Sequence, residues 1–364
     1  MVMLQKTWRD GATDRVGGPE NPLRRPGGAS EARRVQIRQM SASDADFAAW
    51  YEVHISARLA DHPTGPQWLE PELKVVYEGT EHHAAQLWLA EDGGKAVGAA
   101  VLGLPLRDNL TLAEPEVFVR PEESRRGIGS ALLATLDEAS KAAGRTSQLL
   151  YIEGPTGTGH TSGTVFAEKY GFTRRMTEIS RVQRPPFDLD GIARAEEEAR
   201  PHAAGYRIVT WRDRAPDEYV DEYARLEGRM STDAPLGELD YEPETWDAAR
   251  IRTGEQRRER MRRATWVAAA LAPDGTMAGV TVISVSRDSD DTGLQDATIV
   301  DPRHRGHRLG LLLKAANLRQ LLADRPGVQT VWTWNADSNT HMIAINETLG
   351  YQVAGWSAAY QRSL

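Results

Sequence analysis

The chain has 364 residues, room for two domains of ordinary size. It is 40% hydrophobic and 26% charged with a net charge of −8, the composition of a globular protein with no general attraction to nucleic acid or an anionic membrane. It has no cysteine, which excludes disulfides, thiolate zinc sites and a cysteinyl acyl-enzyme, and fits a cytoplasmic protein.

Residues 1–34 are rich in Gly, Pro, Arg and acidic side chains without a hydrophobic period, which predicts a disordered tail. No apolar signal core stands at the N-terminus, and the longest apolar run, Val97–Leu106, is about half a membrane span. Val35–Arg38 reads as a first strand, with a helix-entry signal at Ser41-Ala42-Ser43-Asp44. Gln86–Ala90 and Ala96–Leu104 read as a hairpin turning at Asp92-Gly93-Gly94. The strand ending Val117-Phe118-Val119-Arg120-Pro121 runs into Arg125-Arg126-Gly127-Ile128-Gly129, then a helix from Ser130 that stops at Gly144. Gly154–His160 is glycine-rich but lacks the lysine of a P-loop, and reads as a loop. Paired prolines at 185–186 and the charged helical stretch Arg194–Arg200 place a linker over 185–204.

The pattern then repeats. Tyr206–Val209 is the counterpart of the first strand, and Trp266–Ala270 and Met277–Val285 form a second hairpin around Pro273-Asp274-Gly275. Thr298–Pro302 leads into Arg305-Gly306-His307-Arg308-Leu309-Gly310 and a helix from Leu311 to about Leu322. Pro121 and Pro302 stand 181 positions apart, and the glycines of Tyr170-Gly171-Phe172 and Leu349-Gly350-Tyr351 stand 179 apart. Such near-equal offsets predict two copies of one unit, over 35–184 and 205–364. The element order predicts an α/β (α+β) fold, each copy a mixed, partly parallel sheet flanked by helices.

A strand that stops at an Arg/Gly loop and re-enters as a helix presents uncapped backbone N–H groups and a positive dipole end. Arg125, Arg126, Gly127, Ile128, Gly129 and Ser130 form such a cradle, and Arg305 to Gly310 form the second. A dinucleotide fingerprint needs a further glycine and a first-strand position, which leaves a coenzyme A pyrophosphate site. Pro121-x-x-x-Arg125-Arg126-Gly127-Ile128-Gly129-Ser130, with Lys169–Phe172 and Asn346–Tyr351, resembles the GNAT superfamily of acyl-CoA N-acyltransferases. The second half is similar to bacterial tandem acetyltransferases through Met230–Pro235, Trp246-Asp247 and Thr333–Asn339. There are departures: Ser124 stands at the family's Arg/Gln position, Arg308 replaces a glycine, and the frequent tyrosine acid would fall at Ala167 and Asn346.

The resemblance implies direct acetyl transfer from acetyl-CoA to a primary amine of a small molecule or peptide, with one copy able to be silent. It implies cofactor contacts from Val117, Phe118, Val119, Ile299 and Val300 at the strand ends, from both cradles, and from Asn335, Asn339 and Asn346. Asn339 reads equally as a helix N-cap. A base must deprotonate the ammonium, and Glu114, Glu116 and Asp296 stand on the strands before the cradles. Each can equally be a solvated strand carboxylate. The second copy is the expected seat of catalysis; a non-catalytic acyl-CoA-binding scaffold and a protein N-acetyltransferase are the alternatives. No metal constellation is present, and Arg257–Arg263 reads as a solvated helix face rather than an RNA contact. Neither nucleic acid nor membrane is an expected partner.

Overall fold

Lys95–Pro105 and Met277–Ser286 are apolar and buried along nearly their whole length, so each must be a strand covered on both faces. Such strands fix the centre of each half in the computed structural model, which describes residues 35–233 and 235–364. The tail expected over residues 1–34 lies outside the described residues.

The first half runs β1 (Gln36–Met40), α1 (Phe47–Asp61), α2 (Glu70–Tyr77), β2 (His83–Asp92), β3 (Lys95–Pro105), β4 (Leu112–Val119), α3 (Ile128–Ala142), β5 (Ser147–Pro155), α4 (Ser162–Lys169) and β6 (Thr173–Gln183). The second repeats it as β7 (Arg207–Arg212), α6 (Val220–Asp233), α7 (Ala248–Arg260), β8 (Arg263–Leu271), β9 (Met277–Ser286), β10 (Gly293–Val300), α8 (Leu309–Asp324), β11 (Val331–Ala336), α9 (Thr340–Thr348) and β12 (Gln352–Ser363). Helix α5 (Leu189–Ala199) connects them.

All twelve strands form one sheet in the order β1-β2-β3-β4-β5-β12-β6-β11-β10-β9-β8-β7. The last strand of each half is therefore exchanged: β12 pairs with β5, and β6 pairs with β11. The exchanged strands pair with each other at the centre. This seam needs glycine. A Cβ on Gly355 would lie 2.5 Å from the Gly154 carbonyl oxygen, and one on Gly154 would lie 2.5 Å from the Trp356 ring.

Helices α1, α2, α6 and α7 cover one face, through Trp50, Val53 and Leu73 in one half and Tyr223, Leu226 and Ile251 in the other. Helices α3 and α8 cover the opposite face, with Leu132, Leu133 and Leu136 matched by Leu312, Leu313 and Leu318. The stretch expected as a linker is folded, since Ile192, Ala195 and Ala199 of α5 are buried in the same cluster as α8. One local expectation is corrected. Ser41–Asp44 does not open α1; the Ser41 amide donates to Asp44 Oδ2 at 2.9 Å in a turn, and the helix begins at Phe47.

Candidate active site

The two strand–loop–helix units share one backbone design. After each strand comes a short 3-10 turn, Pro121–Glu123 or Pro302–His304. Positive φ follows at Arg125 (64°) and Gly127 (81°), and at the same offsets at Gly306 (86°) and Arg308 (53°). Gly127 and Arg308 are the N-caps of α3 and α8, and neither helix has a side-chain cap. Alternating left-handed residues ahead of an uncapped helix turn successive N–H groups to one side, the geometry of an anion nest. The residues present therefore fit a diphosphate in both copies.

The charge around the nests differs. Arg126 is bound to Asp92 at 2.8 Å and to Glu123. In the second copy Arg305 reaches Asp233 at 3.4 Å and the Val300 carbonyl at 3.3 Å, while Arg308 meets the Glu198 carbonyl at 3.5 Å. His304 bonds the Tyr206 hydroxyl and His307 the His202 carbonyl, each at 2.9 Å. Buried Asp301 anchors this loop through Arg225 at 2.7 Å and Arg303 at 2.8 Å, and these contacts hold its carboxyl far below the usual carboxylate range. Ser130 accepts the Tyr170 hydroxyl at 2.6 Å. Gly129 and Gly310 sit under Phe166 and Ile345, which a Cβ would meet at 3.3 and 3.0 Å.

Parallel strands open beside each nest. β4 and β5 pair only at Leu112 with Ser147 and Ala113 with Gln148, and β10 and β11 only at Gly293 with Val331 and Leu294 with Trp332. Beyond those pairs each couple diverges into a cleft at its carboxyl ends, where α/β proteins receive ligands. The side chains of Val117, Val119 and Ile299 are core, and Phe118 packs against Trp50 and His54. Only their backbone is placed to line the clefts; Val300 is partly buried against α8.

Asn335 on β11 accepts the Asn346 side-chain amide, and among the described residues Asn346 Oδ1 is buried without a hydrogen-bond donor. Asn339 takes the cap role, accepting the Met342 amide at 3.2 Å. Ala167, at the position matching Asn346, is wholly buried.

A central cavity lies between α1/α2 and α6/α7 in two lobes of about 340 and 250 Å³. They meet at Trp68, Tyr241, Glu244, Arg263 and Asp296. Asp296 reaches the junction because β10 bulges there: Gln295 pairs with Ile283 and Thr298 with Thr281, so two residues oppose Val282. Burial pushes the Asp296 carboxyl up, against the opposing pull of Arg263, a Ser284 hydrogen bond and Arg258. Glu114 lines the second lobe and bonds His83 Nε2 at 3.0 Å. Glu116 lines neither lobe and is buried near Tyr77.

Several lining residues stood outside the expected set of catalytic and cofactor residues. Arg263 and Glu72 form a buried pair at 2.8 Å that ties β8 to α2, and Arg263 stacks on Trp68 at 4.6 Å. Tyr241 donates to Glu244 at 2.6 Å. Trp332 is core, whereas Trp334, stacked on it at 6.1 Å, lines the first lobe. The solvated-face expectation for Arg257–Arg263 is corrected: Arg257, Arg258 and Arg263 line the cavity and Met261 is buried, because α7 packs against α2. Among the described residues no cluster could hold a metal ion, and no helix is long and apolar enough to cross a membrane.

Two uncapped nests, two splayed parallel pairs and one shared cavity define a duplicated α/β transferase scaffold. The comparisons agree: the chain is similar to acetyltransferases and to a tandem GNAT protein along most of its length. A family profile described as an acetyltransferase (GNAT) domain matches residues 83–174. A mycothiol acetyltransferase of Salinispora arenicola is 28% identical over 327 residues, 89% of this chain and 90% of that protein. One of Salinispora tropica is 26% identical over 332 residues, 91% of this chain and 92% of that protein. A solved tandem GNAT protein from the clavulanic acid biosynthesis pathway superposes with a TM-score of 0.71 at 27% identity, covering 91% of this chain and 98% of its own. An N-acetyltransferase from Sphaerobacter thermophilus, at 16% identity and a TM-score of 0.59, shares the fold over 90% of this chain and 95% of its own.

Proposed function

We propose that the protein transfers an acetyl group to a primary amine of a small molecule, with the second half carrying the reaction. The observation that carries this reading is the position of Asp296, on the bulge of β10 where that half's cleft opens into the shared cavity. Similarity to mycothiol acetyltransferases over nearly the whole chain supports a small-molecule acceptor, as does a cavity closed by both halves.

Acetyl-CoA, when bound, supplies the acyl group and a thiolate leaving group that needs little help. The N-terminal amides of α8, with Arg305 and Arg308, would hold its diphosphate. Asp296 would take the proton that the acceptor's ammonium must lose before it can attack. The burial that raises its pKa makes it a better base near neutrality than an exposed aspartate. The bulge leaves one residue outside the ladder, whose amide would serve a developing oxyanion. The first half would then serve chiefly as the opposite wall, through Trp68, Glu72 and Glu114.

The test is thiol release from acetyl-CoA over a panel of small amines. Turnover lost in Asp296→Asn and in Arg308→Glu, but kept in Arg125→Glu, is the expected result. Both arginines already sit at left-handed, exposed positions, so the exchanges reverse charge without new backbone strain. Loss in Arg125→Glu alone would move the reaction to the first half. Absence of turnover on every amine would leave an acyl-CoA-binding scaffold.

A further inference from the structure

We propose that the acceptor carries an oxyanion, a carboxylate or a phosphate, which docks on Arg257 and Arg258 in the second lobe while its amine meets Asp296. The inference rests on the acetyltransferase reading above and narrows its substrate class.

Most charged groups in that lobe are already paired. Arg250 is committed to Asp108 at 2.6 Å and Glu244 at 3.4 Å, and Arg263 to Glu72 at 2.8 Å. Glu114 is taken by His83, and Glu244 also accepts Trp246 Nε1 at 2.9 Å. Asp296 is bonded to Ser284. Two cations are left without an ion pair, although Arg258 still acts on the Asp296 carboxyl through space. Among the described residues neither Arg257 nor Arg258 has a carboxylate at ion-pair distance, and the Nε of each is buried without a hydrogen-bond partner.

They are consecutive on the last turn of α7, where the helix dipole favours cations. That accounts for arginines on the surface of the turn, not for two adjacent guanidinium groups that line the cavity, Arg257 near Tyr77 of α2 and Arg258 near Tyr223 of α6. Burial, and then the like charge of Arg258, lower the pKa of the Arg257 guanidinium, with Tyr77 opposing. A guanidinium is a planar fork of donors that matches a carboxylate or phosphate in bidentate fashion. One oxyanion between the pair would satisfy both forks and cancel their repulsion. Arg258 also lines the small recess that contains Asp296, so the anion site and the base face one space. An amine joined to an oxyanion by a short chain spans the two.

The test has a binding arm and a turnover arm. In the first, CoA-saturated protein, with its diphosphate nests filled, is titrated calorimetrically with inorganic phosphate and with malonate. Saturable binding of either, weakened by at least about tenfold in Arg257→Gln and Arg258→Gln but unchanged in Arg260→Gln, is expected. Arg260 is exposed, pairs with Glu78 outside the cavity, and serves as the charge-loss control. CoA affinity equal to wild type in each variant shows that the fold survives. In the second arm, acetylation is compared within the pairs ornithine and putrescine, and glucosamine 6-phosphate and glucosamine. Preference for the amino acid assigns a carboxylate, and preference for the sugar phosphate assigns a phosphate. In either case the glutamine variants raise KM and erase the preference. Turnover without preference, or no anion binding by the wild type, overturns the inference and leaves the acetyltransferase reading intact. Anion binding that depends on both arginines, without turnover of any amine, keeps the anion site and refutes the acetyltransferase reading.

Discussion

Gly127 and Arg308 occupy the same left-handed N-cap position, at φ 81° and 53°, in front of α3 and α8. An arginine there costs about 1 kcal/mol relative to glycine in backbone strain. Its retention points to a use for the charge. Arg308→Gly is therefore expected to leave stability within about 1 kcal/mol, relief of strain offsetting the greater chain entropy of glycine. On the proposed diphosphate site the same change is expected to weaken CoA binding, because a full charge at the nest is lost. Thermal unfolding and calorimetry on the variant read the two effects separately.

On the role proposed for Asp296, the pH dependence of turnover follows from its carboxyl. Burial raises its carboxyl, so it holds a proton to a higher pH than an exposed aspartate and is a base only above that point. The rate, kcat/KM, is expected to fall as pH drops through the raised pKa. Asp296→Asn is expected to cost about 10²–10⁴-fold and to remove that acid limb. A pH–rate profile of wild type and variant checks both, and an unchanged limb in the variant would assign it to another group.

Glu178 and Glu153 stand on strands either side of β12, both facing Ser357, and are buried. Burial, then the charge of Glu153, pushes the Glu178 carboxyl up to about 7. The folded protein thus retains a proton that the unfolded chain has released above its ordinary pKa of 4.5. The resulting stability is full below pH 4.5 and is lost as pH rises through about 7. Glu178→Gln removes this penalty, so at pH 8 it is expected to be more stable than wild type by up to about 3 kcal/mol. At pH 4 the gain should vanish. Melting curves at the two pH values decide it, and an equal gain at both would mean packing rather than charge.

The pair Glu72 and Arg263 joins the halves across the cavity, 2% and 5% exposed. Removing one partner strands a buried charge, so Glu72→Ala is expected to cost about 3–5 kcal/mol. The double change Glu72→Met, Arg263→Met should cost less than the single one, since no unpaired ion remains. Urea unfolding of both variants measures the difference.

The repeat was legible because its landmarks are backbone-dictated: the prolines that open the 3-10 turns and the glycines after α4 and α9 must recur wherever the geometry recurs. Strand periodicity separates Val117 and Val119, which pack with α3, from Glu114 and Glu116 on the other face. It carries no information about which strand lies alongside, so the exchange of β6 and β12 was not readable. The cavity was hidden for a related reason, since Trp68, Glu72, Tyr241, Glu244 and Arg263 come from distant segments and converge only across the seam. For Arg257 a signal did exist. Its neighbours four residues away, Thr253 and Met261, give it no ion-pair partner on its own helix, unlike Arg252, which pairs with Glu255. Unmatched arginines beside a buried methionine mark a helix end that meets another surface.

Strand exchange also makes the two halves interdependent. β12 supplies the ladder on one side of β5 and one side of β6, and β6 supplies the ladder on one side of β11. A piece ending at 204 would keep β6 without its partner strands and leave β5 as an open edge; a piece starting at 205 would strand β11 and β12 in the same way. Open, apolar edges aggregate. Each piece expressed alone is expected to be insoluble or unfolded, whereas the two expressed together should assemble into a soluble complex, since β6 and β12 then find each other's sheet. Circular dichroism and size-exclusion chromatography of the separate and co-expressed pieces test this. A folded, soluble N-terminal piece would show that β6 can fold back beside β5, and that the exchange is a choice between two pairings rather than a requirement of the sheet.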